Sequence, residues 1–335
     1  MAYTTINKST DYFNTKLYTG NGSNNHTITG VGFDTDLAWI KNRGGDDHRL
    51  FDKVRGVNKF VKSNTTDAET TDAIFTTNSD GYVVTNAGEV NANNQNFVGW
   101  NWKANGAGSA NTDGSISSTV SVNTTAGFSI VSFNQASSPQ TIGHGLNSVP
   151  KIIFIKDRDS VANWQVYSES IGASNKLLLD STNASASSGV FNSTAPTSSV
   201  FTFNSNFGST IAYCFAEKTG YSKFGSYLGN GNADGTFVYT GFKPAFVLVK
   251  NTQQGSDNWF IWDNKRPGYN QTQKYLSPNN NSAEADSSSF AIDTLSNGFK
   301  VRASTGAINN NNEKMIYMAF GQSLVGSNNI PATAR

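Results

Sequence analysis

Gly241-Phe242-Lys243-Pro244-Ala245-Phe246-Val247-Leu248-Val249-Lys250-Asn251-Thr252, followed by Asn258-Trp259-Phe260-Ile261-Trp262-Asp263, decides the fold class. It reads as a turn, an apolar strand ending in lysine, a loop, and a second strand carrying tryptophan. The same phrase occurs twice upstream. Gly145-Leu146 leads through Pro150 to Lys151-Ile152-Ile153-Phe154-Ile155-Lys156, then to Asn163-Trp164-Gln165-Val166-Tyr167. Gly32-Phe33 leads to Leu37-Ala38-Trp39-Ile40-Lys41, then to Leu50-Phe51-Asp52. Thr35, Pro150 and Pro244 stand at one offset before the three lysines. The next strand is expected at Leu50, Trp164 and Trp259. Three copies of one unit is the reading this supports.

Working outward, 335 residues suit three domains of about 100 residues each. Only 15% of residues are charged, while 31 are glycine, a mixture that suits many tight turns between short strands. Aromatic residues at 12%, with 22 Phe and 6 Trp, supply the apolar mass that a disordered chain lacks. Lys and Arg total 25 against 24 acidic residues, so there is no basic surplus to neutralise phosphates, and no nucleic-acid partner is expected. The single cysteine, Cys214, rules out an intramolecular disulfide and reads as a core thiol. Met1-Ala2-Tyr3-Thr4-Thr5 has no signal-peptide pattern, and no run reaches the ~18 apolar residues of a membrane span, so export and membrane insertion are disfavoured.

The expected organisation is an N-terminal arm (1–13), a first β-sandwich (14–104), a Gly/Ser/Asn linker (105–115), a second sandwich (116–221), a third (222–325) and a C-terminal tail (326–335). The fold class is all-β, with three tandem small antiparallel β-sandwich repeats of jelly-roll or lectin-like type. Ala104 to Ser115 contains nothing large enough to pack, which predicts freedom between the first two units. The second passes almost directly into the third, which predicts rigid packing there.

Several phrases, Leu17-Tyr18-Thr19-Gly20-Asn21-Gly22, Trp39-Ile40-Lys41-Asn42-Arg43, Phe51-Asp52-Lys53-Val54-Arg55-Gly56 and Gly127-Phe128-Ser129-Ile130-Val131 among them, carry a resemblance. So do Gly143-His144-Gly145-Leu146, Tyr213-Cys214-Phe215-Ala216-Glu217, Gly220-Tyr221-Ser222-Lys223-Phe224-Gly225-Ser226-Tyr227 and Ile330-Pro331-Ala332-Thr333-Ala334-Arg335. At these residues the chain resembles a family of repeat domains in structural proteins of tailed bacteriophages, particularly marine phages. Thr35 departs from the family's usual proline. The resemblance implies a virion protein of the tail or particle surface, with no catalytic residues to carry over. A second resemblance, by pattern alone, is to small six-stranded lectin domains that trimerise and bind sugars. It would make Trp164, Trp259 and Trp262 glycan-stacking residues. The alternative is that these indoles fill the sandwich cores, since they recur at equivalent positions.

His26, His48 and His144 share no metal-ligand spacing and read as turn or surface residues, so neither metal nor cofactor is expected. Carboxylate neighbours such as Asp46-Asp47 and Asp157 with Asp159 are candidates for a glycosidase carboxylate pair and read better as loop charges. Asn111-Thr112-Asp113-Gly114 and Asn232-Ala233-Asp234-Gly235 resemble fragments of calcium loops, without the later acidic ligands. No catalytic residue is assigned. The function expected is a non-enzymatic virion protein of the tail, fibre or host-contact apparatus, acting by assembly and adhesion. The alternatives are a capsid-decorating knob or head fibre, and a glycan-cleaving tailspike. Expected partners are further copies of the chain, with a trimer as one option, other tail or capsid proteins, and a host surface glycan.

Overall fold

The computed structural model describes residues 4–135 and 137–323. The phrase Ile330 to Arg335 and the expected tail 326–335 lie outside the described residues, as does the start of the expected arm. The fold is all-β, built of antiparallel strand pairs in several sheets.

The first segment holds β1 (Phe13–Thr19), β2 (His26–Ile28), β3 (Leu37–Asn42), β4 (Arg49–Asp52), β5 (Lys59–Val61) and β6 (Thr70–Thr71). β7 (Phe75–Asn78), β8 (Gly81–Val84) and β9 (Asn96–Trp102) complete it. Its main sheet runs β1-β9-β3-β4-β5-β6, faced by the small sheet β2-β8-β7. In the second segment come β10 (Ser109–Asn111), β11 (Ser118–Asn123), β12 (Phe128–Asn134), β13 (Gln140–Gly143), β14 (Ile152–Asp157) and β15 (Gln165–Ser168). β16 (Asn175–Leu178), β17 (Ala186–Ser187), β18 (Val200–Phe203) and β19 (Ser209–Phe215) follow. The order is β10-β11-β12-β19-β14-β15-β16-β17, with β13 paired to β18. The third segment adds β20 (Ser222–Leu228), β21 (Phe237–Tyr239), β22 (Pro244–Asn251), β23 (Trp259–Asp263), β24 (Lys274–Tyr275) and β25 (Ala285–Asp286). It ends with β26 (Ile292–Leu295), β27 (Gly298–Val301) and β28 (Lys314–Gly321). Its sheets run β20-β28-β22-β23 and β21-β27-β26.

The lysine strands β3, β14 and β22 sit in one register. Leu37, Trp39 and Lys41 lie opposite Trp102, Trp100 and Val98. Ile152, Phe154 and Lys156 lie opposite Phe215, Tyr213 and Ile211, and Phe246, Leu248 and Lys250 opposite Phe320, Met318 and Ile316. Neighbouring side chains on a strand point to opposite faces. One face of each lysine strand therefore fills its own segment's core: Ala38 and Ile40, Ile153 and Ile155, Val247 and Val249 belong to three separate clusters. The other face, Leu37 and Trp39, Ile152 and Phe154, Phe246 and Leu248, enters a single cluster drawn from all three segments. A strand buried on both faces reads as a continuous apolar run, which is what the sequence shows.

At the centre of this shared cluster stand Trp102, Phe215 and Phe320, one from each segment. Their ring centroids form a triangle with sides of 6.2, 6.1 and 5.8 Å, and all three contacts are edge-to-face. The segments thus close around a common core instead of standing in a row. The stretch expected as a free linker is also tied down. Ser109–Asn111 is β10 on β11, Ala104 N and Gly106 N donate to the Asp36 carboxylate, and Asn105 N donates to Ser121 Oγ. Small residues here let the backbone lie close to its neighbours, so composition alone overstated its freedom.

Candidate functional site

Lys41, Lys156 and Lys250 are fully buried, and each binds two backbone carbonyls, one of its own loop and one of another segment. Lys156 Nζ donates to Ala162 O (2.9 Å) and to Thr66 O of the first segment (3.1 Å). Lys250 Nζ reaches Asp257 O (2.9 Å) and Thr182 O of the second segment (3.0 Å). Lys41 Nζ reaches Asp46 O (2.5 Å) and Asn281 O of the third (3.2 Å). The contacts run second to first, third to second and first to third, closing a ring. Burial lowers all three ammonium pKa values to about 8.

A second layer repeats the pattern. Trp164 Nε1 donates to Lys62 O (2.8 Å) and Trp259 Nε1 to Leu178 O (2.9 Å). The first segment has His48 there. Its Nδ1 accepts from Trp39 Nε1 at 2.9 Å, which leaves Nε2 to donate to Ser277 O at 3.1 Å. That neutral tautomer agrees with a pKa pushed well below the usual imidazole value by burial and by Lys41. The expected match at Leu50 was thus two residues late; His48 is the equivalent of the tryptophans. The three acceptor loops align without a gap, from Lys62, Leu178 and Ser277 to Glu69, Ser185 and Glu284. At their ends Glu69 N, Ser185 N and Glu284 N donate to Arg158 O, Thr252 O and Arg43 O at 2.8–2.9 Å.

Charge is added at two of these junctions. Arg158 grips Glu69 through Nε (2.8 Å) and Nη2 (2.9 Å), and Arg43 grips Glu284 at 2.9 and 2.7 Å. Deeper in, Asp52 Oδ2 accepts from Arg55 Nε (2.5 Å) and from Tyr213 Oη of the second segment (2.8 Å). Asp263 Oδ2 accepts from Arg266 Nε (2.6 Å) and from Trp100 Nε1 of the first segment (3.1 Å). Both Asp–Arg pairs have no exposed side-chain surface.

These junctions span nearly the whole described chain, and so does a matching family model. The chain belongs to the DUF7483 family. That model, a domain of unknown function, covers residues 8–323. No curated protein matches the sequence.

The tryptophans considered for glycan stacking are all interior. Trp164 and Trp259 lie in the shared core and Trp262 in the third segment's own core, where its Nε1 donates to Phe290 O at 3.0 Å. None presents a ring face to solvent. His48 and His144 are also buried and not surface residues; His144 Nε2 is 3.2 Å from Thr197 O, and His26 Nδ1 lies 2.8 Å from Asn91 Oδ1. Among the described residues no group of three or more His, Cys, Asp or Glu is placed to hold a metal. Cys214 is buried, and burial pushes its thiol pKa up.

The carboxylate neighbours brace turns. Asp157 accepts from Asp159 N (2.9 Å) and Ser160 Oγ (2.5 Å), Asp159 from Ser209 N (2.7 Å), and Asp47 from Asn64 Nδ2 (2.6 Å). Asn111 and Asn232 close Asx turns by accepting from Asp113 N and Asp234 N.

The phrase Tyr18-Thr19-Gly20-Asn21-Gly22 and its echo Tyr227-Leu228-Gly229-Asn230-Gly231 also find their reason. Buried Asn91 and Asn309 each accept from the backbone N–H of Asn21 or Asn230 (2.9 and 3.0 Å) and donate back to that residue's side chain (3.0 and 2.9 Å). Gly22 and Gly231 turn the chain with φ of 63° and 64°. The open surface lies elsewhere. One cleft of about 300 Å³ is lined by Tyr269, Gln271, Gln273, Lys274 and Asp286.

Proposed function

We propose that the chain is a non-enzymatic structural protein of the virion of a tailed bacteriophage, acting in the tail, fibre or host-contact apparatus through assembly and adhesion. In this reading the three segments are copies of one jelly-roll, lectin-like sandwich. The observation that carries it is the ring of lysine-to-carbonyl junctions, which commits the buried charge and most of the tryptophan to holding three lobes on one core. The lobes' outer loops are thereby left as rigidly mounted contact surfaces. A closed ring of three gives one chain the geometry of a homotrimer of single sandwiches, so one copy can match a threefold attachment point on a particle. The phage assignment rests on the sequence resemblance; the mechanical role rests on the ring.

Gold labelling of intact virions with an antibody to residues 116–325, viewed by electron microscopy, tests this reading. Label on the tail is the expected outcome. Label spread over the head would replace it with capsid decoration, and unlabelled particles would overturn the virion assignment altogether. Release of new reducing ends from host polysaccharide would instead establish the glycan-cleaving alternative.

A further inference from the structure

The small outer sheets can be compared position by position. Ile28 lies opposite Tyr82, Ile142 opposite Phe201 and Val238 opposite Phe299, and each pair is part of its own segment's core. The residues flanking these anchors point outward. They are Thr27 and Thr29 in the first segment, Thr141 and Gly143 in the second, and Phe237 and Tyr239 in the third. The fold is built twice without aromatic rings at this place. In the third segment the rings are nevertheless 43% and 60% exposed.

We infer that this face of the third segment, Phe237 and Tyr239 with their charged neighbours, is a carbohydrate-binding site for a surface polysaccharide. The inference rests on the adhesion reading above and locates it. Two rings on alternate positions of one strand offer adjacent apolar platforms for the C–H faces of successive pyranose units. Hydroxyl partners stand around them. Lys300 lies directly across from Phe237 and Asp293 directly across from Lys300, while Asp234 pairs with Lys300 at 2.8 Å and with Arg302 at 3.2 Å. Gly298, between Tyr239 and Leu295, keeps the floor low.

Size and charge select the occupant. The exposed surface of the two rings is on the order of 200 Å², well short of the roughly 800 Å² that each partner contributes to a stable protein interface. Charges of both signs at the rim suit a hydroxylated ligand better than a lipid surface or a single-sign polymer. The second segment shows what this place accepts. There the chain's own polar stretch covers it: a Cβ on Gly143 would collide with Asn111 Oδ1, and Ser115 exchanges hydrogen bonds with Thr141 at 2.8 and 2.9 Å.

The test uses the full chain on an array of purified bacterial lipopolysaccharides and capsular polysaccharides. The double variant Phe237→Thr with Tyr239→Thr restores the residues of the first segment and should keep the wild-type melting temperature. Saturable binding by the wild type is expected, with a loss of about tenfold or more in the double variant. Tyr269→Ala, an exposed ring in the other cleft, should bind like wild type. Unchanged binding by the double variant would overturn the site and leave adhesion standing. A wild-type protein that labels virion tails but binds no polysaccharide would overturn the inference without touching the virion reading. Self-association lost in the double variant would overturn it in favour of a protein interface.

Discussion

At the junctions between the first and second segments and between the third and first, a carboxylate is buried between an arginine of its own segment and a donor of the next. The residues are Asp52 with Arg55 and Tyr213, and Asp263 with Arg266 and Trp100. The junction between the second and third segments has the same backbone and the same lysine, and an indole where the first junction also has one and the other has His48, yet none of these three side chains. Ser168 stands across from Ile152 as Asp52 stands across from Leu37 and Asp263 from Phe246. Ile171 replaces the arginine, and Met318 replaces the tyrosine or tryptophan donor. The outer pair changes with them, Arg158–Glu69 and Arg43–Glu284 giving way to Thr252 and Ser185. The positions switch as sets. A buried ion pair is tolerable when every member is satisfied and costly when one is missing, so mixed states are the ones to avoid.

The largest effect that could break this comparison is removal of one member of a set. Asp263→Ala leaves Arg266 in a dry site with only its longer carboxylate contact to Glu284 (3.2 Å) and Trp100 Nε1 without its acceptor, and should cost about 3 kcal/mol in urea unfolding. Asp52→Ala should behave alike, whereas Ser168→Ala should cost under about 1 kcal/mol. Writing the third junction into the first, with Asp52→Ser, Arg55→Ile and Tyr213→Met together, should recover most of the loss. A Ser168→Ala penalty equal to that of Asp52→Ala would show that the sets are not the relevant units.

The two sides of each junction differ in how they are written in the chain. The lysine strands and the recurrence of Trp164 and Trp259 were legible, because an apolar strand ending in lysine occurs three times with one spacing. Their partners were not. The loops 62–69, 178–185 and 277–284 receive the lysines, the two indoles and His48 on backbone carbonyls, which leave no side-chain signature, so they read as Thr-, Ser- or Asn-rich turns. Two positions mark them as equivalent: Ala68, Ala184 and Ala283, each before the terminal Glu or Ser, and Asn64, Asp180 and Asn279, whose side chains accept from the backbone N–H of His48, Trp164 and Trp259. Core and ligand readings of the tryptophans were both consistent with the sequence, and burial separates them. His48 escaped because a histidine in a tryptophan's place shares its hydrogen bond, not its pattern. Phe237 and Tyr239 stand out only once the strand register sets them beside Thr27 and Thr29.

The lysines, common to all three junctions, supply a smaller effect. Each has a folded pKa of about 8 against 10.5, so between pH 8 and 10 the unfolded chain holds protons that the folded one has released. Their contribution to stability therefore rises with pH across that window. Buried Cys214, Tyr213 and Tyr221, whose pKa values are raised, act in the opposite sense as pH climbs. The comparison of wild type with Lys250→Met cancels those terms. Its stability difference should move by about 2 kcal/mol in favour of wild type from pH 8 to pH 10. Lys156→Met should give the same slope if the junctions share this element. A flat or opposite slope would mean that these ammonium groups stay charged in the fold.

The smallest effect completes the third junction instead of dismantling the others. Ser185→Glu with Thr252→Arg would place there the pair that Glu69–Arg158 and Glu284–Arg43 form, on loops whose backbones already meet through Ser185 N and Thr252 O at 2.8 Å. The existing arginines keep 15% and 19% of their side chains exposed, so solvent screens the bidentate gain, and the substitution also removes the hydrogen bond of Thr252 Oγ1 to Lys314 O. The expected net gain is about 0.5 kcal/mol at low ionic strength, fading in 1 M salt. Either substitution alone should give nothing or a small loss, because an unpaired arginine or glutamate at this seam is desolvated without compensation. If the double variant is no better than the worse single one, the outer pair depends on the buried Asp–Arg set behind it. The two layers would then have to be transplanted together.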